Sequence, residues 1–94
     1  MTLPQTPGRA SAEADEIRGT VLQFLKEKTL ATPATDQDLF ASGVVSSMFA
    51  MEMVVFLEQS HRVTIVGGDL KIDNFRTVDA MTQLVLRLRD ASDT

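Results

Sequence analysis

Two adjacent serines, Ser46 and Ser47, stand immediately before an almost continuous apolar stretch over residues 48–57. Serine is a preferred N-cap residue, so we expect a helix to begin here, with Ser46 as its cap and Ser47 exposed in its first turn. The first turn of a helix has unbonded N–H groups and the positive end of the helix dipole, which stabilise an anion. The pair therefore indicates a place for a phosphate ester on Ser47. Capping by both serines without modification is the plainer interpretation of these residues taken alone.

The helix that follows the serines has apolar residues on two sides. One stripe has the spacing of a core-facing side and consists of Ala50, Met53, Val54, Leu57 and His61. A second stripe, beside Glu52, consists of Met48, Met51 and Val55. A chain of 94 residues cannot easily bury both, so the pattern predicts an exposed apolar surface for a partner. We expect His61 to be structural and not catalytic, with a cationic imidazole favoured by the helix C-terminus.

The segments before this helix must position it. A helix is expected from Ser11, as its N-cap, to about Leu30, because apolar residues recur at helical spacing until a proline interrupts the pattern. A long connection to about Val45 follows. We expect Leu39 and Phe40 to anchor this connection on the core, because long loops without structure are unusual in compact domains.

The segments after the helix complete the core. Residues 63–66 are mostly β-branched but have no second strand to pair with, so they are expected to form an extended connector. Residues 69–74 are long enough for a short helix. Leu70, Ile72 and Phe75 would then point inward.

The last helix and the overall organisation follow from the same patterns. Thr77 is a good N-cap for a helix that runs to about Arg89. The sequence thus predicts an all-α, four-helix bundle of three longer helices and one short helix, with a long first loop. We expect residues 1–11 to form a flexible arm, residues 12–89 the domain and residues 90–94 a polar tail.

Composition excludes several classes of function. With 44% hydrophobic and 23% charged residues, the 94-residue chain can form one small core. Its formal net charge of −4 argues against binding to nucleic-acid phosphates. The absence of cysteine excludes thiolate catalysis, and the single histidine leaves little for a metal centre. No apolar stretch approaches the roughly 20 residues that span a bilayer, so we expect a soluble, cytoplasmic protein without membrane partners.

Several segments spread over residues 15–89 match one known sequence pattern. They are Leu39-Phe40, Gly43-Val44-Val45-Ser46-Ser47-Met48, then Glu52, Leu57, Glu58 and Ile65, and Asn74-Phe75-Arg76-Thr77-Val78-Asp79-Ala80. Together these segments resemble an acyl carrier protein. In that family an Asp-Ser-Leu motif opens the second helix, and its serine bears a phosphopantetheine arm whose thiol holds an acyl group as a thioester. The register puts Ser46 on the family's Asp, Ser47 on its serine and Met48 on its Leu. The resemblance therefore implies a non-catalytic carrier with phosphopantetheine on Ser47.

The resemblance also implies partners and surfaces. A phosphopantetheinyl transferase would attach the arm from coenzyme A with magnesium, and acyl-loading and acyl-modifying enzymes would use it. Docking is expected through Ser46, Met48, Phe49, Met51, Glu52 and Val55. The space that shelters an acyl chain in this family would be lined by Ala50, Val54, Leu57, Ile65 and Phe75, whose alternative role is to fill the core. Carriers of this kind are usually monomers, and we expect a monomer here.

A subtype is suggested by two segments. Residues 42–48 and 72–80 look most similar to the small free-standing carriers of polyketide pathways, on which an extender unit such as methoxymalonyl is assembled. Only Glu52 and Glu58 are charged between Ser46 and Ser60, which favours a narrow, apolar set of partners. Acyltransferases or polyketide synthase modules would be among them. The alternative is a carrier of a different acyl or aminoacyl group.

Other classes of function are weighed against a carrier. An enzyme with Ser47 as nucleophile and His61 as base is disfavoured, because the two lie about 21 Å apart along one helix at 1.5 Å per residue. A helix-turn-helix DNA reader is excluded, because the helix has no Lys or Arg from Ser46 to Ser60. An unmodified helical interaction module remains an alternative, since it explains the apolar helix equally well.

Overall fold

The computed structural model describes residues 9–92 of the chain. Its elements, in chain order, are helices α1 (Arg9–Thr29) and α2 (Ser47–His61), 3-10 helices at Gly67–Asp69 and Ile72–Asn74, and helix α3 (Val78–Ser92). The predicted all-α bundle with three longer helices and a long first loop is confirmed. Within the described residues, no helix is long and apolar enough to cross a membrane. The limits of the arm, domain and tail remain predictions, because residues 1–8 and 93–94 lie outside this part of the chain.

Helix α1 begins earlier than its sequence pattern indicates. It starts at Arg9, so the prediction that Ser11 is its N-cap is wrong. Three alanines near this end, the strongest helix former, favour extension of the helix toward the N-terminus. The helix ends at Thr29, and Leu30 follows with a φ of 62°, the left-handed conformation in which many helices end.

The core lies where one face of each helix meets the other two. Its fully buried aliphatic side chains are Ile17, Val21 and Leu25 on α1, Met53 and Leu57 on α2, and Val78, Met81, Leu84 and Val85 on α3. Four of the five α2 residues predicted to face the core are buried, and Ala50 is partly buried. Each large apolar side chain buried in this way contributes about 1.5–3 kcal/mol, so the core fixes the position of α2.

The loop between α1 and α2 is held by hydrogen bonds to the chain just before α3. The Leu39 N–H donates to the Arg76 carbonyl oxygen at 2.7 Å, and the Arg76 guanidinium pairs with the Asp38 carboxylate at 3.3 Å. The hydrogen bond from the Ala41 N–H, helped by Arg76, lowers the pKa of Asp38. Leu39 is fully buried, which confirms it as an anchor, and Phe40 is partly buried.

The segment between α2 and α3 is extended and then turns twice. Val63 and Ile65 are buried in the extended part, which confirms the predicted connector. The prediction of one short helix with Leu70 and Ile72 inside is wrong, because their exposed fractions are 49% and 47% and only Phe75 is buried. Two separate 3-10 turns form in place of one helix. The Leu70 N–H donates to the Gly67 carbonyl oxygen at 3.1 Å in the first turn, and the Phe75 N–H donates to the Ile72 carbonyl oxygen at 2.8 Å in the second. The side chains of the two turns therefore do not share one face.

Helix α3 begins as predicted. The Thr77 hydroxyl oxygen accepts the Ala80 N–H at 2.9 Å, which confirms Thr77 as the capping residue. The helix continues to Ser92, slightly beyond the expected end at Arg89. An ion pair of 2.8 Å between Arg18 and Asp79 joins the start of α3 to α1.

Candidate functional site

Ser46 and Ser47 open α2 at the positions that the sequence predicts, as the N-cap and the first-turn residue. Ser46 is the N-cap: its backbone is extended, and its hydroxyl oxygen accepts the Phe49 N–H at 3.1 Å. Ser47 is the first helical residue, and its side chain is exposed. In the described part of the chain, no hydrogen bond engages the Ser47 hydroxyl or the N–H groups of Ser47 and Met48. An exposed hydroxyl beside unbonded N–H groups at the positive end of a helix is a favourable place for a phosphate ester.

A groove beside Ser47 separates α2 from the segment of residues 70–75, and we call it the Ser47 groove. It has a volume of about 240 Å³ and is lined by Ser47, Ala50, Met51, Val54, Leu70, Lys71, Ile72 and Phe75. Three residues of the expected acyl pocket line it, whereas Leu57 and Ile65 lie in the filled core. The exposed hydroxyl, one cationic side chain and the apolar lining fit the phosphate and the carbon chain of a phosphopantetheine arm.

The apolar stripe predicted on the other side of α2 is exposed. The exposed fractions of its apolar members are 85% for Met48, 65% for Met51 and 47% for Val55. Glu52 between them is also exposed, and we call these four residues the α2 stripe. Phe49, which the sequence placed on the same surface, is partly buried, because its ring stacks on Phe24 of α1 with centroids 5.6 Å apart.

A second groove lies between the α2 stripe and α1. It has a volume of about 410 Å³ and is lined by Phe24, Lys28, Met51, Glu52, Val55, Phe56 and Gln59. Its aromatic side is formed by the rings of Phe24 and Phe56, which stack with centroids 4.2 Å apart. The α2 stripe therefore lies between two grooves, one on each side of the helix.

His61 lies at the end of α2 opposite Ser47 and is 5% exposed. The Thr20 hydroxyl donates to the Ile17 carbonyl oxygen at 2.8 Å, so its oxygen accepts the proton of His61 Nε2 at 2.9 Å. His61 Nδ1 then has a lone pair and accepts from Arg89 at 3.4 Å. Burial, and secondly the charge of Arg89, lowers the pKa of His61. The hydrogen bonds at both ring nitrogens fit the neutral form of His61, and the lowered pKa agrees with them, so burial and Arg89 disfavour the cationic imidazole that we expected from the sequence.

Sequence reasoning missed two features, the cation beside Ser47 and the arginine that contacts the buried histidine. Lys71 was not assigned to any site. The signal available was the glycine pair before it, because glycines favour turns instead of a helix, and side chains next to turns often lie outside the core. Arg89 gave no signal, because the residues that it contacts, Glu13 at 3.1 Å and His61, are remote in sequence.

Comparison with known proteins finds distant relatives that are named as carrier proteins. No family model matches the chain. The chain is 28% identical to the D-alanyl carrier protein of Streptococcus mutans serotype c over 78 residues, which are 81% of this chain and 99% of the relative. It is 27% identical to that of Streptococcus sanguinis over the same shares, and 27% identical to that of Lactobacillus delbrueckii subsp. bulgaricus over 58% of this chain and 69% of the relative.

These similarities show a distant homology to carrier proteins. The relatives bear the name of a carrier and not of an enzyme, which agrees with the predicted non-catalytic role. Their printed names refer to a D-alanyl group and not to polyketide synthesis.

Proposed function

We propose that the chain is a carrier protein that holds its cargo as a thioester on a phosphopantetheine arm attached to Ser47. The observation that carries this proposal is the exposed hydroxyl of Ser47 in the first turn of α2, to which none of the described residues forms a hydrogen bond. The distant homology to carrier proteins supports the same function. The unmodified interaction module explains the exposed α2 stripe but gives no role to this hydroxyl.

The residues at the start of α2 prepare the attachment and stabilise its product. Ser46 fixes the first turn through its bond to the Phe49 N–H, which leaves the Ser47 hydroxyl in solvent. Ser47 Oγ then bonds to the phosphorus of the phosphopantetheine part of coenzyme A, adenosine 3′,5′-bisphosphate leaves, and the hydroxyl proton passes to a base of the transferase. The N–H groups of Ser47 and Met48, which have no acceptor among the described residues, stabilise the remaining negative charge. Once attached, the arm supplies a thiol that forms a thioester with the cargo.

Partner enzymes are proposed to dock on the α2 stripe. Its exposed methionines can adapt to differently shaped apolar surfaces, and the Glu52 carboxylate offers a contact to a basic residue. A phosphopantetheinyl transferase and the loading enzymes are the partners that a carrier requires. Each must approach Ser47, and the stripe begins at the next residue, Met48.

The cargo is proposed to be an aminoacyl or other small acyl group. The names of the homologues favour this over the polyketide extender unit, which rests only on the similarity of residues 42–48 and 72–80 to polyketide carriers. We keep a methoxymalonyl-type unit as the second candidate because those two segments include the attachment serine and the chain beside the Ser47 groove.

The attachment is tested by intact mass spectrometry before and after incubation with coenzyme A, Mg²⁺ and a broad-specificity phosphopantetheinyl transferase. We expect the wild-type chain to gain one phosphopantetheine and Ser47→Ala to gain none. Ser60→Ala is the matched control, because Ser60 is an exposed serine near the other end of α2, and it should gain the arm normally. A folded, unmodified wild-type chain that gains nothing would favour the interaction module.

The cargo is tested on the modified protein. Incubation with D-alanine, ATP and a D-alanine-activating ligase should add one alanyl group to the arm thiol, and hydroxylamine should remove it. The matched reaction uses the loading enzyme of an extender-unit pathway. Loading in the second reaction but not in the first would reverse our order of the two candidates.

A further inference from the structure

Among the residues that the structure describes, Lys71 is the one cationic side chain that lines the Ser47 groove. Its side chain is exposed, and within residues 9–92 no ion pair or side-chain hydrogen bond engages it. The neighbouring acid Asp73 is already paired with Arg76 at 3.0 Å, and Glu52 lines the groove on the other side of α2. Among its described lining residues, the groove therefore has a cation and no carboxylate to neutralise it.

We propose that Lys71 binds the phosphodiester of an arm attached to Ser47 and so directs the first part of the arm into the Ser47 groove. This inference rests on the proposed function. It depends on charge complementarity within one groove: Ser47 Oγ would be bonded directly to the phosphate, and Lys71 lines the same space. Lys71 is thus a positioning residue for the arm and takes no part in the chemistry of the thioester.

The size of the groove limits how much of the arm it holds. Val54 lies seven positions after Ser47 in α2, so the α2 side of the groove is about 10 Å long at a rise of 1.5 Å per residue. The apolar side chains there suit the dimethyl carbon that follows the phosphate in the arm. The first amide group falls near the end of this length, and the second amide group and the thiol extend beyond it, so the thioester remains in solvent, where partner enzymes can reach it.

The expected effect is modest because the pair is exposed. An exposed ion pair changes a conformational ratio by about 1.4- to 5-fold, and we expect that change in the ratio of groove-bound to unbound arm. NMR spectra of the apo- and phosphopantetheine-modified chains measure it through the chemical-shift differences of the Val54 methyls and the Phe75 ring, which line the groove.

Three substitutions separate the role of Lys71 from general effects. Lys71→Gln should shrink the shift differences between the modified and apo forms, and Lys71→Arg should retain them. Lys28→Gln is the matched control, because Lys28 lines the groove between α1 and α2, and it should leave them unchanged. Unchanged differences in a modified Lys71→Gln chain would overturn the proposal. If mass spectrometry showed that the folded wild-type chain gains no phosphopantetheine, that result would instead refute the proposed function.

The alternative source of an anion is the cargo. Arms loaded with succinyl, which ends in a carboxylate, and acetyl, which does not, are compared in wild type and Lys71→Gln. We expect Lys71→Gln to have the same effect with both cargoes, since both arms contain the phosphodiester. An effect confined to the succinyl arm would overturn the phosphodiester pairing.

Discussion

The neutral His61 predicts that the fold loses stability in mild acid. His61 is buried, donates from Nε2 to Thr20 and accepts from Arg89 at Nδ1. Protonation would place a hydrogen on Nδ1, break the bond from Arg89 and bring two positive charges together. The nearby carboxylates on α1, Glu13 and Glu16, offset this only in part, because Glu13 is already bonded to Arg89 and burial is the largest cause of the lowered pKa.

The sign and size follow from proton linkage. The folded pKa of His61 lies below its unfolded value of 6.5, so unfolding takes up a proton between the two values. The stabilisation that the fold gains from neutral His61 is fully present above the unfolded pKa. It is lost as the pH falls toward the folded pKa. The free energy of unfolding should therefore fall by up to about 1.4 kcal/mol per pH unit within that window. Ordinary carboxylates titrate near pH 4 and contribute little above pH 5.5.

Urea unfolding followed by circular dichroism between pH 8 and pH 5.5 measures this slope. His61→Phe is the matched variant, because it keeps an aromatic ring next to Phe56. In the wild-type chain the rings of His61 and Phe56 pack edge-on, with centroids 6.3 Å apart. The chain has one histidine, so the variant has no imidazole left to titrate. We expect the wild-type free energy of unfolding to fall below pH 6.5 while that of the variant stays level. Parallel curves for the two proteins would refute the reasoning.

Three further predictions concern the start of α2, the loop before it and the docking surface. Ser46→Ala should reduce the free energy of unfolding by about 1 kcal/mol, because the Phe49 N–H loses its acceptor. The same variant should gain the arm more slowly when attachment is followed over time by mass spectrometry. An unchanged rate would show that the cap does not prepare Ser47. Gly43→Ala should lower the free energy of unfolding, measured with urea, by about 1–2 kcal/mol, because Gly43 has a φ of 81°. An added Cβ would meet no atom within 4 Å, so backbone strain is the whole effect. Equal stability of the two proteins would contradict the left-handed conformation. Glu52→Lys should slow transfer of the arm or cargo from a partner enzyme while circular dichroism stays unchanged, and equal transfer rates would remove Glu52 from the docking surface.

Much of α2 could be predicted from the sequence because its signals are local. The start at Ser47 follows from the preference of serine for the N-cap, and the buried and exposed stripes follow from helical spacing. The partial burial of Phe49 could not be predicted in this way, because it depends on the ring of Phe24 in another helix.

The remaining features depend on contacts between distant segments. The protonation state of His61 is set by Thr20 and Arg89, which are 41 and 28 residues away in sequence. The exposure of Leu70 and Ile72 depends on the direction of two consecutive 3-10 turns, which no periodic pattern encodes. The Ser47 groove arises from the same turns, so its cation could be assigned only once the structure had placed Lys71 beside α2.

The most direct test of the central claim is to locate the modification within the wild-type chain. Purified protein modified with coenzyme A and a phosphopantetheinyl transferase would be digested, and the peptide that contains both serines would be fragmented by a method that preserves phosphoesters. We predict fragment ions that place one phosphopantetheine on Ser47 and leave Ser46 unmodified, because Ser46 is bonded to the Phe49 N–H as the helix cap. Modification of Ser46, or an unmodified peptide from folded protein, would contradict the account.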